Sequence, residues 1–234
     1  MGALAGGQTI LDLLTGSEGL LSQGFRFRPA WWTSRVDDVS VSGWLDGLPA
    51  DPEGRGYHRI TRGEMLATAD GTDGWEPRAL LAGYVWGTGN LGFLVGRRAR
   101  TFRDTDSADL QKRLAVAVDA LRTDGPSAAY RELNRGGTAS IKHLGPAFFT
   151  KFLYVADTAK VEQPDGALIM DQFVVKALNA LHDWSEPTYG WAPARYPEWL
   201  DIATTEADLA AAELGRPVRR DEIEYAYFTH GKTL

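Results

Sequence analysis

The stretch from Ile141 to Tyr154 constrains the fold of this chain more than any other part of the sequence. It opens with Leu-Gly-Pro at residues 144–146 and continues as a run of apolar side chains that contains one lysine, Lys151. Glycine permits a tight turn, and proline has the fixed φ that suits the first turn of a helix. The stretch therefore predicts a tight turn leading into an apolar helix, which needs a surrounding core to bury it.

The remainder of the sequence predicts an all-α, mainly helical fold. Apolar residues recur at helical spacing, with Gly or Pro at the segment ends, in six further places. These predicted helices cover residues 76–87, 108–122, 126–134, 172–181, 196–214 and 218–228. A short helix is also predicted within residues 1–24. The capping box formed by Thr61 and Glu64 predicts another helix that begins near residue 62.

One segment, residues 36–62, departs from this helical pattern because it is dense in Gly, Pro and Asp. It predicts a loop region or a small irregular sheet, with β-like pieces at residues 39–41 and 57–60. Residues 183–199 are rich in Trp, Pro and Tyr and predict a structured aromatic loop.

Composition excludes several classes of protein. The sequence has 234 residues, of which 44% are hydrophobic, and this is enough for a sizeable core. It contains no Cys and four His without ligand spacing, so disulfides, thiolate chemistry and a metal site are not expected. No apolar run has the length of a transmembrane helix. We expect a soluble, cytoplasmic, monomeric protein without a metal or cofactor and without a membrane partner.

The net charge of −6 at pH 7 argues against a protein that coats nucleic acid without specificity. Positive charge is nevertheless concentrated at residues 97–103, where Arg97, Arg98, Arg100 and Arg103 occur together. Such a cluster is usually a solvated face, but beside the start of a helix it also suits a phosphate strand. A basic face on an acidic protein is therefore compatible with the sequence.

The turn at residues 144–146 has the chemistry of an anion site. The free N–H groups of a helix N-terminus and the helix dipole both favour a negative group. We expect the backbone of Leu144, Gly145 and Ala147 to face a phosphate, and Lys142 and His143 to add positive charge beside it. Many helices begin in this way, so the turn alone is a weak indication.

Asp171 follows the apolar run at 168–170 and directly precedes the predicted helix 172–181. This position makes it an N-cap, and most N-cap Asp residues have no further role. A carboxylate held at the start of a helix is also fixed in place and can face a cleft. Both roles are compatible in one residue.

Aromatic and small polar residues supply candidates for a ligand pocket. The candidates are Trp31, Trp32, Tyr84, Trp86, Thr88 and Asn90. Aromatic faces can stack on a nucleic-acid base, but large aromatic side chains more often supply core area. The core alternative therefore stays open for the Trp31–Trp32 pair and for Tyr84, which lies inside an apolar helix.

These features together resemble the helix-hairpin-helix superfamily of DNA glycosylases, and more closely its bacterial 8-oxoguanine-DNA-glycosylase-like branch. Five runs carry the resemblance: residues 27–32, 86–89, 141–154, 169–171 and 223–226. The run 141–154, which contains Leu-Gly-Pro-Ala-Phe-Phe-Thr-Lys-Phe-Leu, is specific, and the other four are modest. Together the runs extend over most of the chain.

The resemblance implies two helical lobes around a central cleft, one of about residues 1–75 plus 182–234 and the other of about residues 76–181. It implies an enzyme that flips a damaged or modified base out of double-stranded DNA and cleaves the N-glycosidic bond. Asp171 would stabilise the positive sugar and assist the nucleophile. Lys151 is the candidate for the amine that forms a Schiff base in bifunctional members.

The resemblance also implies roles for the pocket candidates. Thr88 and Asn90 would fill the gap that the flipped base leaves. The aromatic residues would hold the base, which is an oxidised guanine or, because eight Trp suit a roomy pocket, a bulky modified pyrimidine of phage DNA. The second substrate would give the enzyme an antiviral role.

One position departs from the family pattern. The family's lysine usually follows the hairpin glycine by about two residues, and Ala147 occupies that place here. Lys151 is four residues further on and therefore lies on the same helix face. Either Lys151 reaches the cleft from the next turn, or Asp171 directs water in a monofunctional enzyme.

Two other classes of function stay open. A noncatalytic DNA-binding module that keeps the hairpin for phosphate contact would suit the acidic net charge. An unrelated helical enzyme or interaction protein would be favoured if the Arg-rich segment 97–103 and the hairpin lay on opposite faces.

Overall fold

A computed structural model describes residues 9–157 and 166–234. Residues 1–8 of the predicted N-terminal segment and residues 158–165 of the connection between Lys151 and Asp171 lie outside this description. The described chain is mainly helical, as predicted. Within these ranges, no helix is long and apolar enough to cross a membrane.

The first part of the described chain forms short helices around one long helix. These are α1 Gly16–Ser22, α2 Pro29–Thr33, α3 Val39–Ser42, α4 Arg62–Leu66, α5 Trp75–Thr88, α6 Gly92–Arg98 and α7 Arg100–Arg103, with 3-10 helices at Ile10–Leu13 and Gly43–Gly47. Strand β1, Gly24–Phe27, pairs antiparallel with β2, His58–Thr61, so that Gly24 lies opposite Thr61.

The second part forms the longer helices that the apolar periodicity predicts. These are α8 Ser107–Asp124, α9 Pro126–Leu133, α10 Pro146–Ala156, α11 Gln172–Leu181, α12 Arg195–Leu214 and α13 Arg220–Gly231. The predicted capping box is also present, because Thr61 Oγ1 accepts a hydrogen bond from Glu64 N at 3.1 Å at the start of α4. Local signals therefore locate most helix boundaries.

The prediction of β structure at residues 39–41 is wrong. Asp38 caps α3 there, and its carboxylate accepts a hydrogen bond from Ser40 N at 2.9 Å. This local bond stabilises a helical turn, and it outweighs the β preference of the two valines. The other β-like piece, at 57–60, does contribute β2, although its partner β1 lies before the segment 36–62.

Helix α5 is the most thoroughly buried of the helices around the hairpin, and it contacts α10, α8, α4 and β1. A helix that is apolar on all sides is expected to be enclosed by other elements. The core cluster includes residues of both predicted lobes, such as Phe152 and Trp199. The division into lobes 1–75 plus 182–234 and 76–181 stays a prediction.

The chain reaches α11 through residues 166–170, which belong to no helix and no sheet. Buried backbone groups need hydrogen-bond partners, and here side chains supply them. The hydroxyl of Tyr196, on α12, donates to Leu168 O at 2.8 Å and accepts from Leu168 N at 3.1 Å. One hydroxyl thus satisfies both backbone groups of Leu168.

Two further side chains hold the end of this segment. Trp199 Nε1, also on α12, donates to Ile169 O at 3.1 Å. Thr150 Oγ1, on α10, accepts from Met170 N at 3.1 Å and lies 3.2 Å from Met170 O. The backbone is therefore fixed from two helices immediately before Asp171.

We expect the substitution Tyr196→Phe to lower the free energy of unfolding by about 1–3 kcal/mol, because it leaves both buried backbone groups of Leu168 without partners. Urea denaturation measures this change. Tyr225→Phe is the control, since the Tyr225 hydroxyl forms no hydrogen bond with the described residues. Equal stability of the two variants would contradict a role of the Tyr196 hydroxyl in holding the segment.

Candidate active site

Asp171 is the N-cap residue of α11, as predicted. Its Oδ1 accepts hydrogen bonds from Phe173 N at 3.0 Å and from Val174 N at 3.3 Å. Two amide donors hold the carboxylate in one orientation and leave Oδ2 for another partner. Because the residue is only 8% exposed, that second oxygen needs a hydrogen bond inside the protein.

Lys151 provides this hydrogen bond from α10. Its Nζ lies 3.0 Å from Asp171 Oδ2 and donates to Ala147 O at 2.9 Å. Side chains on a helix point back toward its N-terminus, which brings the ammonium of residue 151 to the level of residue 147. The amine therefore lies level with Ala147, although its backbone is one turn further along.

Two glycines of α5 make room for the Lys151 side chain. A Cβ atom at Gly83 would lie 3.2 Å from Lys151 Cβ, and one at Gly87 would lie 2.9 Å from Lys151 Cε. The two glycines are four residues apart and form one bare strip along the helix. This strip allows α10 to approach closely and gives the lysine a channel toward Asp171.

Aromatic rings surround the ammonium. Lys151 Nζ lies 5.6 Å from the centre of the Phe148 ring and 5.8 Å from that of Trp86. Phe148 in turn stacks on Tyr84 with ring centres 4.5 Å apart and an interplanar angle of 19°. Burial raises the pKa of the Tyr84 hydroxyl, which keeps this group neutral. The ion pair is thus bounded by an apolar wall.

Lys151 and Asp171 lie in the lining of a cavity of about 1030 Å³. Of the predicted site residues, the lining also includes Tyr84, Trp86, Thr88, Asn90, His143, Gly145 and Ala147. Residues from β1, from α5 to α7, from the hairpin, from α10, α11 and α13, and from the loop at 188–191 all contribute. The fold therefore assembles most of the predicted site around one space.

The hairpin turn reaches the same cavity. Leu144 N donates to Ile141 O at 3.2 Å, and His143 takes a left-handed conformation with φ of 67°. The N–H groups of Gly145 and Ala147 donate to no acceptor in the part of the chain that the structure describes. Both residues line the cavity, so these donors are available to an anion there.

Positive charge borders the cavity as well. Arg97, Arg98, Arg100 and Lys232 belong to its lining together with the hairpin. The Arg-rich segment and the hairpin therefore share one face. Opposite faces would have favoured an unrelated helical enzyme or interaction protein. Among the described residues, Asp171 is the one acidic residue of this lining, although Asp104, outside it, pairs with Arg100 at 3.0 Å.

Arg98 is the most enclosed of these cations. Its guanidinium lies 4.6 Å from the centre of the Phe148 ring, and its Nη1 donates to Gly87 O at 3.3 Å and to the Thr88 hydroxyl. Burial lowers the pKa of Arg98 to about 10, and the nearby Arg97 acts in the same direction. No carboxylate of the described residues pairs with Arg98, so an anion in the cavity would stabilise its charge.

Several predicted residues lie elsewhere or face inward. Trp32 is completely buried in the core, and Trp31 packs edge-on against Tyr57 with ring centres 5.9 Å apart. Neither belongs to the cavity lining, so the core alternative describes the Trp pair. Lys142, which is exposed, and Leu144, which is buried, also lie outside the lining.

Thr88 and Asn90 differ in their environments. Thr88 is buried, and its hydroxyl donates to Tyr84 O at 2.5 Å while it accepts from Arg98. Asn90 is exposed just after Gly89, whose φ of 54° ends the helix. Of the two, only Asn90 has a side chain that is exposed to solvent.

Several apolar residues of the cavity lining were not predicted from the sequence as site residues. Phe25, Phe148, Phe173 and Phe228 all line the cavity, and Phe228 lies edge-on to Phe173 with ring centres 5.4 Å apart. Periodicity marks each of them as a core residue, because a cavity wall and a core have the same apolar pattern.

Within the described ranges, no group of three or more acidic or His side chains is placed to hold a metal ion.

Comparison with known families gives an independent result for the same chain. The family described as "Putative 8-oxoguanine DNA glycosylase OGG-like protein" matches residues 18–228. The chain belongs to this family. The matched range contains the hairpin, Lys151 and Asp171, as the resemblance predicted. Neither the curated proteins nor the solved structures gave a match.

We expect Gly87→Ala to move the Lys151 ammonium away from the Asp171 carboxylate without unfolding the protein. Alanine favours a helix over glycine by about 1 kcal/mol, but its methyl group would lie 2.9 Å from Lys151 Cε and 3.1 Å from Phe148 Cε1. A crystal structure of the variant should place Nζ beyond the ~4 Å limit of an ion pair with Asp171.

Gly47→Ala is the control for this experiment, because a Cβ atom at Gly47 has no neighbour within 4 Å. An unchanged distance between Lys151 Nζ and Asp171 Oδ2 in Gly87→Ala would contradict the channel function of the glycine strip.

Proposed function

We propose that this protein is a DNA glycosylase that releases a modified base from double-stranded DNA. The observation that carries the proposal is the buried pair of Lys151 Nζ and Asp171 Oδ2, 3.0 Å apart, in the lining of a cavity bordered by cations. Family membership supports the reaction class. An enzyme that acts on a base must take it out of the stack, and the cavity provides a place for the extruded nucleotide.

Asp171 stabilises the positive charge that develops on the sugar as the N-glycosidic bond breaks. Its cap bonds fix the carboxylate before the substrate arrives, so little reorganisation accompanies the reaction. The departing base takes the electrons of the glycosidic bond and then a proton. Because the site is largely closed to water, the attraction between carboxylate and sugar is stronger than it would be in solution.

Lys151 supplies the nucleophile in this proposal. The ammonium gives its proton to the departing base, so that Asp171 remains a carboxylate, and the resulting amine attacks C1′ of the sugar. Ring opening gives a Schiff base, and water then hydrolyses it to release an abasic site and restore the amine. The net reaction is hydrolysis of the N-glycosidic bond.

The surroundings of the cavity suit a DNA backbone. The free N–H groups of Gly145 and Ala147 and the cations Arg97 and Arg100 are placed to contact phosphates, which position the duplex without reading its sequence. His143 lies beside these donors, with its Nε2 3.1 Å from Asp104 Oδ2. Lys142 is exposed next to the turn and adds long-range attraction for DNA.

The cavity has room for a bulky base. Its volume of about 1030 Å³ reaches the upper end of the roughly 300–1,000 Å³ of pockets that hold drug-sized ligands. An oxidised guanine is smaller than such a ligand, whereas a pyrimidine with a large substituent fills more of the space. We therefore propose a hypermodified pyrimidine, as in phage DNA, ahead of oxidised guanine, and with it an antiviral role.

We expect Asp171→Asn to lower base release by about 10²–10³-fold or more, because the amide cannot offset the charge of the sugar. The helix cap should survive, since Asn caps a helix about as well as Asp, and circular dichroism checks that the protein still folds when the buried Lys151 charge loses its partner. The measurement is release of free base, identified by mass, from a panel of modified duplexes that includes phage genomes.

Asp106→Asn is the matched control. Asp106 caps α8 through bonds from Ala108 N at 3.0 Å and Asp109 N at 3.1 Å, outside the cavity lining. Full activity of Asp171→Asn would overturn the proposal. Salt-dependent binding by the wild type without release of any base would instead establish the noncatalytic DNA-binding alternative.

The nucleophile is tested by borohydride reduction during turnover, which traps a Schiff base as a covalent adduct of protein and DNA. We expect an adduct with the wild type and none with Lys151→Arg, whose guanidinium stays protonated. Lys142→Arg is the control and should retain the adduct. Base release by the wild type without any adduct would show that water attacks and that Lys151 serves only as the charge partner of Asp171.

A further inference from the structure

A second ion pair is completely buried beside the candidate active site. Arg62 Nη1, at the start of α4, lies 2.6 Å from Glu224 Oε2 on α13, and both side chains are inaccessible to solvent. Arg62 Nη2 and Nε donate to Gln23 Oε1 at 2.8 and 3.0 Å. The cation is therefore well satisfied, and its position is fixed from three elements.

Glu224 is less completely satisfied. Its other oxygen, Oε1, is buried and accepts no hydrogen bond from the described residues. Burial raises the pKa of Glu224, whereas Arg62 opposes this shift; Asp171 raises the pKa and Lys151 lowers it. The carboxylate of Glu224 thus interacts electrostatically with both members of the candidate catalytic pair.

The two ion pairs share one aromatic ring. The guanidinium of Arg62 lies 5.2 Å from the centre of the Trp86 ring, and Lys151 Nζ lies 5.8 Å from the same centre. Trp86 lines the cavity, and so does Phe228, which follows Glu224 by one helical turn on α13. The second pair therefore lies directly behind the cavity wall rather than in a remote part of the core.

Charge balance explains why a carboxylate is useful there. Two cations, Lys151 and Arg62, and two carboxylates, Asp171 and Glu224, make a neutral group of two ion pairs, and the nearby buried Asp221 is neutralised by Arg219 at 2.6 Å. Without the charge of Glu224 the group would carry a net positive charge, which would repel a cationic sugar. A buried ion pair is poor evidence of a stabilising role, because apolar replacements are often at least as stable.

We propose that Glu224 is a positioning residue of this site, which offsets the charge of Arg62 so that the Asp171 carboxylate remains available to a cationic sugar. The inference rests on the proposed glycosylase function. It adds a residue that acts through Asp171 and does not touch the DNA.

The test uses two duplexes that cannot react. One carries a pyrrolidine, protonated at neutral pH, in place of a nucleoside, and the other carries a neutral tetrahydrofuran. The ratio of their dissociation constants reports how strongly the site favours a positive sugar, without any need for catalysis. We expect the wild type to prefer the pyrrolidine duplex and Glu224→Gln to lose about tenfold of this preference, which corresponds to about 1.4 kcal/mol.

Two further variants separate charge balance from a structural role. The double variant Arg62→Met/Glu224→Gln removes both charges, so the preference for the pyrrolidine duplex should return toward that of the wild type. Glu206→Gln is the matched control, because Glu206 on α12 is also buried and has a carboxylate oxygen without a partner. Its preference should remain unchanged.

The outcomes distinguish the two proposals. Binding of neither duplex by the wild type would overturn the glycosylase proposal and this inference together. An unchanged preference in Glu224→Gln, or a double variant as impaired as the single one, would overturn the inference about Glu224 alone. If Glu224→Gln does not fold, Glu224→Asp replaces it in the test, because this variant keeps the negative charge. Glu224→Asp must retain the wild-type preference for the pyrrolidine duplex, and a loss of that preference would also overturn the inference.

Discussion

The candidate site depends on five residues that belong to no helix and no sheet. Residues 166–170 bring the chain to the start of α11, and side chains of α10 and α12 provide partners for the backbone of Leu168, Ile169 and Met170. A sheet would satisfy these groups through its own ladder, but here every bond requires a correctly placed helix. Formation of the helical core therefore places the carboxylate of Asp171, and stability and function share the same contacts.

Close packing of α5 against α10 is the second constraint, and it depends on the absence of side chains. Gly83 and Gly87 reduce the helix propensity of α5, since glycine is less favourable than alanine by about 1 kcal/mol in a helix interior. In return they leave the space through which Lys151 reaches Asp171. The two glycines thus lower the stability of α5 but allow the Lys151 amine to reach its position beside Asp171.

Charge is distributed unevenly between the protein as a whole and the cavity. The chain has a net charge of −6, yet Arg97, Arg98, Arg100 and Lys232 border one space. An acidic remainder weakens nonspecific attraction to nucleic acid, and in the proposed function the local cations would attract a DNA strand to this cavity. The pair of Lys151 with Asp171 in the lining and the pair of Arg62 with Glu224 behind it each join one cation to one carboxylate.

The sequence by itself determined the helical class, most helix boundaries and the cap at Asp171, because these depend on interactions between residues a few positions apart. It also indicated the hairpin, whose amides need only Gly145 and Pro146. Tertiary structure alone decided that the flexible side chain of Lys151 returns to the level of Ala147, and that Trp31 and Trp32 belong to the core. It likewise decided that Arg62 meets Glu224, 162 residues away, because burial and charge pairing depend on which helices pack together.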